Sequence, residues 1–273
     1  MRKSGPLSAV IAVIMLTFIF SSQATADEAI RISFTESFKP YSYRDNGQWK
    51  GIDIEIGREL HKRMGLEVQY YPLPWARSQS YAEKGLIGGL LTAYCEDKRS
   101  YLETSSESFY TVKISLFARK DVAAKTPIND LMDLPKHSRV GVIIDNFFND
   151  MINGHPYIEK AFTHSSALMP RQLFHRRIDY ALEEYFPFIF YSRESGFAEE
   201  FQEVLVLREF RVCAVFSKAH FGPEKSRALA ERASEVIREL KQSGFVDATI
   251  SKYIDPNNDQ SPIVTSKEPA AAP

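Results

Sequence analysis

The chain has 273 residues, of which 44% are hydrophobic and 25% are charged, the composition of an ordinary globular protein. Its 34 lysines and arginines are balanced by 35 aspartates and glutamates, so it lacks the basic excess that a general nucleic-acid binder needs. Two cysteines are too few for a disulfide-rich scaffold or a cysteine-rich metal cluster. The length predicts about two domains.

The N-terminus has the layout of a cleaved secretory signal peptide. Arg2 and Lys3 precede an apolar run over 7–20, and the small residues Ala-Thr-Ala follow at 24–26. The run is shorter than the ~20 apolar residues that a membrane span needs. We therefore expect a signal peptide at 1–26 and a mature protein in the periplasm. The alternative is an uncleaved N-terminal anchor.

The two cysteines lie far apart in the sequence, at Cys95 and Cys213. In an oxidising compartment they can form a disulfide. The sequence leaves open whether they pair or remain two separate buried thiols.

Apolar periodicity predicts a β-α-β-α-β unit in the first part of the mature chain. The predicted strands are 30–34, 66–71 and 87–91, and the predicted helices are 53–64 and 79–84. This alternation is typical of a parallel sheet covered by helices.

A second alternating set begins near Arg139. A strand is predicted at 112–119, just before this set, and the strands of the set are predicted at 139–144, 178–182 and 212–216. The predicted helical segments are 127–135, 147–152, 169–175 and 224–242. The polar, Pro- and Ala-rich segment 256–273 is expected to be disordered. Two α/β units predict two lobes, and a chain that crosses twice between them makes a hinge with a cleft, where ligands often bind.

Three stretches in this order resemble a known family. They are KPYSY at 39–43 with GIDIEI at 51–56, EDKR at 96–99 with FY at 109–110, and QSGF at 242–245 ahead of Tyr253. The pattern is similar to that of the family 3 solute-binding proteins, the polar-amino-acid group of periplasmic binding proteins. The resemblance implies the type II architecture of two Rossmann-like lobes joined by a two-strand hinge. Lobe 1 is then expected at 27–115 plus 217–255, and lobe 2 at 116–216.

The resemblance also implies charged ligand contacts. Arg99 matches the arginine that binds a ligand carboxylate, for which the planar guanidinium offers two parallel donors. Glu184 stands at the position of the acid that accepts a ligand ammonium group. The alternatives are a solvated surface arginine and a solvated acid at a helix start.

Neutral contacts are implied at four further positions. Phe38 and Trp75 fall where the family stacks aromatic rings on the ligand. Thr92 and Tyr94 match the stretch whose hydroxyl and backbone groups meet the ligand carboxylate. For Trp75 the alternative is ordinary packing between or within the lobes.

The sequence departs from the family pattern in two places. Asp145 and Asn146 stand in the loop where the family commonly has Gln-Gly-Thr, and Asp145 would repel a carboxylate placed there. Gly88 and Gly89 stand where the family often has Asp-Ala. Asp145 together with Glu184 favours a ligand with more positive charge, such as a basic amino acid or an amine.

The predicted function is a monomeric, non-catalytic binding protein without cofactor or metal that captures a small polar ligand and delivers it to an ABC permease. One alternative is an enzyme on the same fold, such as a cyclohexadienyl or arogenate dehydratase. Pro187 stands where those enzymes place their acidic glutamate, which argues against it, although Glu183 or Glu184 can substitute. The other alternative is a soluble ligand sensor for a membrane receptor.

Overall fold

The computed structural model describes residues 29–144 and 146–255. The predicted signal peptide at 1–26, the predicted disordered tail at 256–273 and the candidate Asp145 therefore lie outside the described residues. Within them, no helix is both long and apolar enough to cross a membrane.

The strands of the described chain form one large mixed sheet and a small hairpin. The large sheet contains β1 (Ile30–Phe34), β4 (Val68–Pro72), β5 (Gly89–Tyr94), β6 (Leu102–Arg119), β7 (Ser138–Ile143), β8 (Ile158–Thr163), β9 (Tyr180–Glu184) and β10 (Phe201–Ser217), and the hairpin contains β2 (Tyr43–Asp45) and β3 (Gln48–Lys50). The order across the large sheet is β4-β1-β5-β10-β6-β9-β7-β8.

Helices cover this sheet. They are α1 (Ile52–Arg63), α2 (Trp75–Glu83), α3 (Lys120–Ala123), α4 (Met169–Phe174), α5 (Tyr185–Glu194), α6 (Lys218–Phe221), α7 (Pro223–Gln242) and α8 (Phe245–Ile254). The segments predicted as helical at 127–135 and 147–152 form only the 3-10 turns Leu131–Asp133 and Phe147–Ile152. Asp130 caps the first of these turns through its side chain, as its position in the sequence favours.

Two long antiparallel strands join the halves of the sheet. β6 has 18 residues and β10 has 17, and they pair along almost their whole length. The parallel strands β4, β1 and β5 lie on one side of this pair, and the parallel strands β7 and β8 lie beyond β9 on the other. This is the predicted α/β architecture of two lobes joined by a two-strand hinge. The exact lobe boundaries stay a prediction.

The long helix α7 shows how the sequence builds the core. Its buried side chains recur at helical spacing and include Ala233, Val236, Ile237 and Leu240, the apolar stripe that periodicity predicts. These residues pack against β6 and against α1 and α8. The apolar face of α7 is therefore covered by the strand that continues into the hinge.

A disulfide between Cys95 and Cys213 settles the alternative that the sequence leaves open. It joins the residue that follows β5 to the middle of β10. At the other end of β5, a Cβ atom on Gly89 would come within 2.2 Å of the Val215 carbonyl oxygen. The backbones of β5 and β10 approach too closely there for a larger residue, which gives a physical reason for Gly89 at this position.

Candidate functional site

A cavity of about 1090 Å³ opens where the two halves of the sheet meet. Its walls come from the loop after β1, the start of α2, the end of β5, the loop after β7, the end of β9 and the middle of β10. Seven of the eight residues predicted to bind ligand line it: Phe38, Trp75, Thr92, Tyr94, Arg99, Asn146 and Glu184.

Glu184 is the most deeply placed charged group in this cavity, with 4% of its surface exposed. It ends β9, and two tyrosines from the other half of the sheet bind its carboxylate. Tyr41 donates its hydroxyl hydrogen to Oε2 at 2.6 Å, and Tyr94 donates to Oε1 at 2.8 Å. Burial raises the pKa of Glu184, while the two hydroxyl groups favour its charged form. Each carboxylate oxygen can still accept a further hydrogen bond from a ligand.

Asp53 provides a second buried carboxylate at the start of α1. The Thr92 hydroxyl donates to Oδ2 at 2.6 Å, and the Tyr110 hydroxyl donates to Oδ1. Burial raises the pKa of Asp53 to about 6, against the effect of these two hydrogen bonds. The Thr92 hydroxyl hydrogen is therefore already used by Asp53, and only its oxygen lone pairs face a ligand.

Aromatic rings form much of the remaining wall. Trp75 is 40% exposed even though it lines the cavity, and Phe38 is exposed to a similar extent. Tyr94 stacks on Phe210 at 4.6 Å between ring centroids, and Phe147 contacts both rings edge-on. Exposed aromatic faces above a carboxylate suit the apolar stem and the cationic group of an organic amine.

Arg99 lies at the edge of the cavity with most of its donors occupied. Its guanidinium donates from Nε to the Asp97 carboxylate at 3.0 Å, contacts the same carboxylate through Nη2, and donates from Nη1 to Gln79 and to the Tyr101 hydroxyl. It also lies 5.9 Å from the centre of the Trp75 ring. A ligand carboxylate would therefore bind Arg99 by exchanging with Asp97.

A second cation, Arg208, lines the same cavity. Its guanidinium lies 4.8 Å from the centre of the Phe210 ring, and within the described residues it forms no salt bridge. Asn146 lines the cavity as well, but its side-chain oxygen accepts the Phe148 backbone N–H at 3.0 Å and so caps the following 3-10 turn. The side-chain oxygen of Asn146 is therefore partly committed to local structure.

Several lining residues were missed by the sequence analysis. Tyr41 and Asp53 lie in KPYSY and GIDIEI, the two motifs of the first stretch that carries the family resemblance, so a search for polar groups in those motifs would have found them. Tyr110 also lies in a quoted motif. Arg208 and Phe210 were missed because the strand prediction for β10 began only at residue 212, which left them in an unassigned segment.

Comparisons with known proteins agree with this architecture. The family model of bacterial extracellular solute-binding proteins, family 3, matches residues 30–256. No curated protein sequence matches the chain.

The fold is similar to that of several solved structures. An ancestral cationic amino acid solute-binding protein has a TM-score of 0.66 at 19% identity, with 83% of this chain and 95% of that chain covered. A second structure of that ancestral protein, described as a precursor of cyclohexadienyl dehydratase, has a TM-score of 0.59 at 19% identity over 83% and 95% of the two chains. The second substrate-binding domain of GlnP from Lactococcus lactis, in an open conformation, has a TM-score of 0.63 at 17% identity, with coverage of 84% and 96%.

Proposed function

We propose a ligand-capture role in transport for this chain, which belongs to the family 3 bacterial extracellular solute-binding proteins. In this role it binds an amino acid or a related amine in the periplasm and delivers the ligand to an ABC permease. The observation that carries the proposal is the buried Glu184 carboxylate at the base of an aromatic cavity between the two halves of the sheet.

The cationic group of the ligand binds at Glu184. The carboxylate is shielded from water, so a charge-assisted hydrogen bond to an ammonium group is strong there. The rings of Phe38, Tyr41 and Tyr94 surround this position and favour a cation over an anion. The description of the ancestral relative as a cationic amino acid binder fits this assignment.

The carboxylate of an amino acid ligand binds at a cationic side chain of the same cavity. Arg99 is the proposed partner, with its guanidinium freed from Asp97 when the ligand binds. Thr92 and Tyr94 line the same cavity and offer further polar contacts, and the exposed ring of Trp75 covers the apolar part of the ligand.

Lobe closure couples binding to recognition by the permease. Contacts between the two halves already connect the cavity walls, because Tyr41 and Tyr94 hydrogen-bond to Glu184 and Lys39 forms a 2.8 Å salt bridge with Glu194. A ligand that reaches both halves adds to these contacts and shifts the population toward the closed form. The permease would then distinguish loaded from empty protein by this closure, and the binding protein acts as a monomer.

The test is thermal unfolding of the refolded, ligand-free mature protein against amino acids and amines of different charge. A ligand present at about 100 times its dissociation constant adds roughly 2.7 kcal/mol, which corresponds to a rise in Tm of about 5–10 °C. Glu184→Gln should lower roughly 10- to 100-fold the affinity for any ligand that raises the Tm, since it leaves the ligand cation without its buried partner. No shift with any amino acid or amine would contradict the proposal.

The second candidate is an enzyme of the dehydratase type on the same fold. It is favoured by Asp53 and Glu183, because burial raises their pKa values to about 6 and about 7 and lets them hold a proton near neutral pH. Incubation with prephenate or arogenate, followed by detection of the aromatic product, tests this activity. Product formation that is lost in Glu183→Gln would replace the binding proposal with the enzymatic one.

A further inference from the structure

A second, smaller cavity lies directly behind the first. It has a volume of about 250 Å³ and shares Phe38, Ile143, Asn146 and Glu184 with the larger cavity. Its remaining lining residues are mostly polar: Ser37, Lys39, His164, Ser165, Ser166, Glu183 and Tyr191. These four shared residues form the boundary between the main cavity and the second chamber.

Glu183 lines this chamber and has one carboxylate oxygen without a hydrogen-bond partner among the described residues. It is 3% exposed, and its Oε1 atom accepts the backbone N–H of Glu184 at 3.0 Å. Its Oε2 atom is buried and has no hydrogen-bond partner within the described residues. Ser166 lies near enough to favour the charged form of Glu183, but its hydroxyl does not complete a hydrogen bond to Oε2. A buried carboxylate oxygen left unsatisfied in this way is costly and needs a specific explanation, such as a catalytic role or a bound water, ion or ligand that completes it.

The neighbouring cations do not fill this role. Lys39 also lines the chamber, but its Nζ atom forms a 2.8 Å salt bridge with Glu194 and lies over the rings of Tyr43 and Phe190. His164 is exposed at the mouth of the chamber. Glu183 thus has no oppositely charged side chain bound to it in the part of the chain that the structure describes.

The chemistry of the chamber selects the group that would fit. The described residues contain no cluster of three or more His, Cys, Asp or Glu side chains that could hold a metal ion. An ammonium group has three donors, and the chamber offers the Glu183 carboxylate together with the hydroxyl oxygens of Ser165 and Ser166. Phe38 lines both cavities, and its ring suits the apolar stem that carries a compact cation.

We propose that Glu183 and its chamber bind a second ammonium group of the same ligand, so that the preferred ligands are α,ω-diamines or amino acids with a terminal side-chain amine. This inference rests on the proposed binding function and extends it. One ammonium group binds Glu184 in the main cavity, and the other passes Phe38 and binds Glu183. Glu184 lines both cavities and Glu183 lines only the second, so each of the two positive charges of the ligand has one carboxylate to bind.

The test compares ligands that differ by one ammonium group. Isothermal titration calorimetry at pH 8 measures the affinity of the full mature protein for 1,4-diaminobutane and 1,5-diaminopentane against 1-aminobutane and 1-aminopentane. The wild-type protein should bind the diamine at least about 10-fold more tightly than the monoamine of the same length, as expected for one charge-assisted hydrogen bond. Glu183→Gln should reduce this ratio to near one. Glu199→Gln, at an exposed glutamate outside both cavities, is the matched control and should keep the wild-type ratio.

A second variant covers the case in which Glu183→Gln does not fold. Ser166→Leu fills the chamber without changing any charge, and it should lower the diamine-to-monoamine ratio in the same way. Equal affinities of the wild-type protein for diamines and monoamines would overturn this inference and leave the proposed function standing. A ratio that persists in Glu183→Gln would overturn it as well. No binding of any amine or amino acid would overturn both.

Discussion

Replacing Glu183 by glutamine should make the free energy of unfolding less dependent on pH. Burial is the main cause that raises the pKa of Glu183 from 4.5 to about 7 in the folded protein. A carboxyl group whose pKa is higher in the folded than in the unfolded state stabilises the fold while it is protonated. That contribution is complete below pH 4.5 and is lost as the pH rises through 7. At about 1.36 kcal/mol per pKa unit, the wild-type protein should lose ~3 kcal/mol relative to Glu183→Gln between pH 4 and pH 8.

Urea denaturation followed by circular dichroism measures this difference on ligand-free protein at pH 4, 6 and 8. The comparison must be made between variants, because other buried groups also titrate. Burial raises the pKa of Asp53 to about 6, so Asp53 also lowers the free energy of unfolding as the pH rises. Burial lowers the pKa of His61 to about 4, so His61 changes the free energy of unfolding in the opposite direction. The contributions of Asp53 and His61 cancel in the difference between wild type and Glu183→Gln. The contribution of Glu184 does not cancel, because its charge helps to raise the pKa of Glu183, so the measured difference includes this coupling. Glu199→Gln provides the baseline for loss of an exposed carboxylate. Parallel curves for wild type and Glu183→Gln would refute the reasoning.

Three further predictions concern the main cavity and its support. Arg99→Gln should lower the affinity for an amino acid roughly 10-fold or more relative to the affinity for the amine that lacks its carboxylate, as measured by calorimetry. If only Arg208→Gln has this effect, Arg208 binds the carboxylate instead. Ligand binding should change the fluorescence of Trp75, and a titration of Trp75→Phe should lose that change, whereas an unaltered signal would place the ligand elsewhere. Replacing both Cys95 and Cys213 by serine should lower the free energy of unfolding, measured in urea, by about 4–5 kcal/mol. The chain-entropy model gives this value because the disulfide closes a loop with a sequence separation of 118. A loss under 1 kcal/mol would show that the unfolded chain is already constrained.

Hydrophobic periodicity located most elements of the first half of the chain but placed some of their ends wrongly. The strand predicted at 87–91 runs over Gly89–Tyr94, because Gly88 and Gly89 lack the side chains that would mark a strand start. The helix predicted at 79–84 begins earlier, at Trp75, directly after Pro74, whose fixed backbone angle favours a helix start. Both errors arise from residue types whose effect depends on backbone geometry and not on hydrophobicity.

The elements that were missed carry no clear apolar period. β8, Ile158–Thr163, lies at the edge of the sheet and is mostly half-exposed, so it lacks a buried face that would show as alternation. The first parts of β6 and β10 alternate weakly because many of their residues are polar or half-buried. α5, Tyr185–Glu194, is rich in aromatic residues and contains Pro187, and neither feature indicates a helix in the sequence alone.

The candidate site followed from the sequence only where the family resemblance supplied positions. Arg99 and Glu184 are ordinary charged residues by composition, and nothing in the local pattern marks Glu184 as buried. The partners of Glu184 could not be predicted, because Tyr41 and Tyr94 come from segments that are 143 and 90 positions away in the sequence. The unpartnered oxygen of Glu183 depends in the same way on tertiary packing, which no sequence period encodes.

The hydrogen bonds around Glu184 connect ligand affinity to the position of the two halves. Tyr41 and Tyr94 approach the carboxylate from the half that contains β1 and β5, and Glu184 ends a strand of the other half, so the site exists only while the halves are together. If the halves separate, Glu184 gains water and loses both hydroxyl partners, and an ammonium group then binds it no better than a surface carboxylate. A dicationic ligand would favour the closed arrangement through a stronger charge pairing with Glu184 and Glu183. Under the proposed transport role, ligand charge would thereby set both the affinity and the fraction of protein in the closed form.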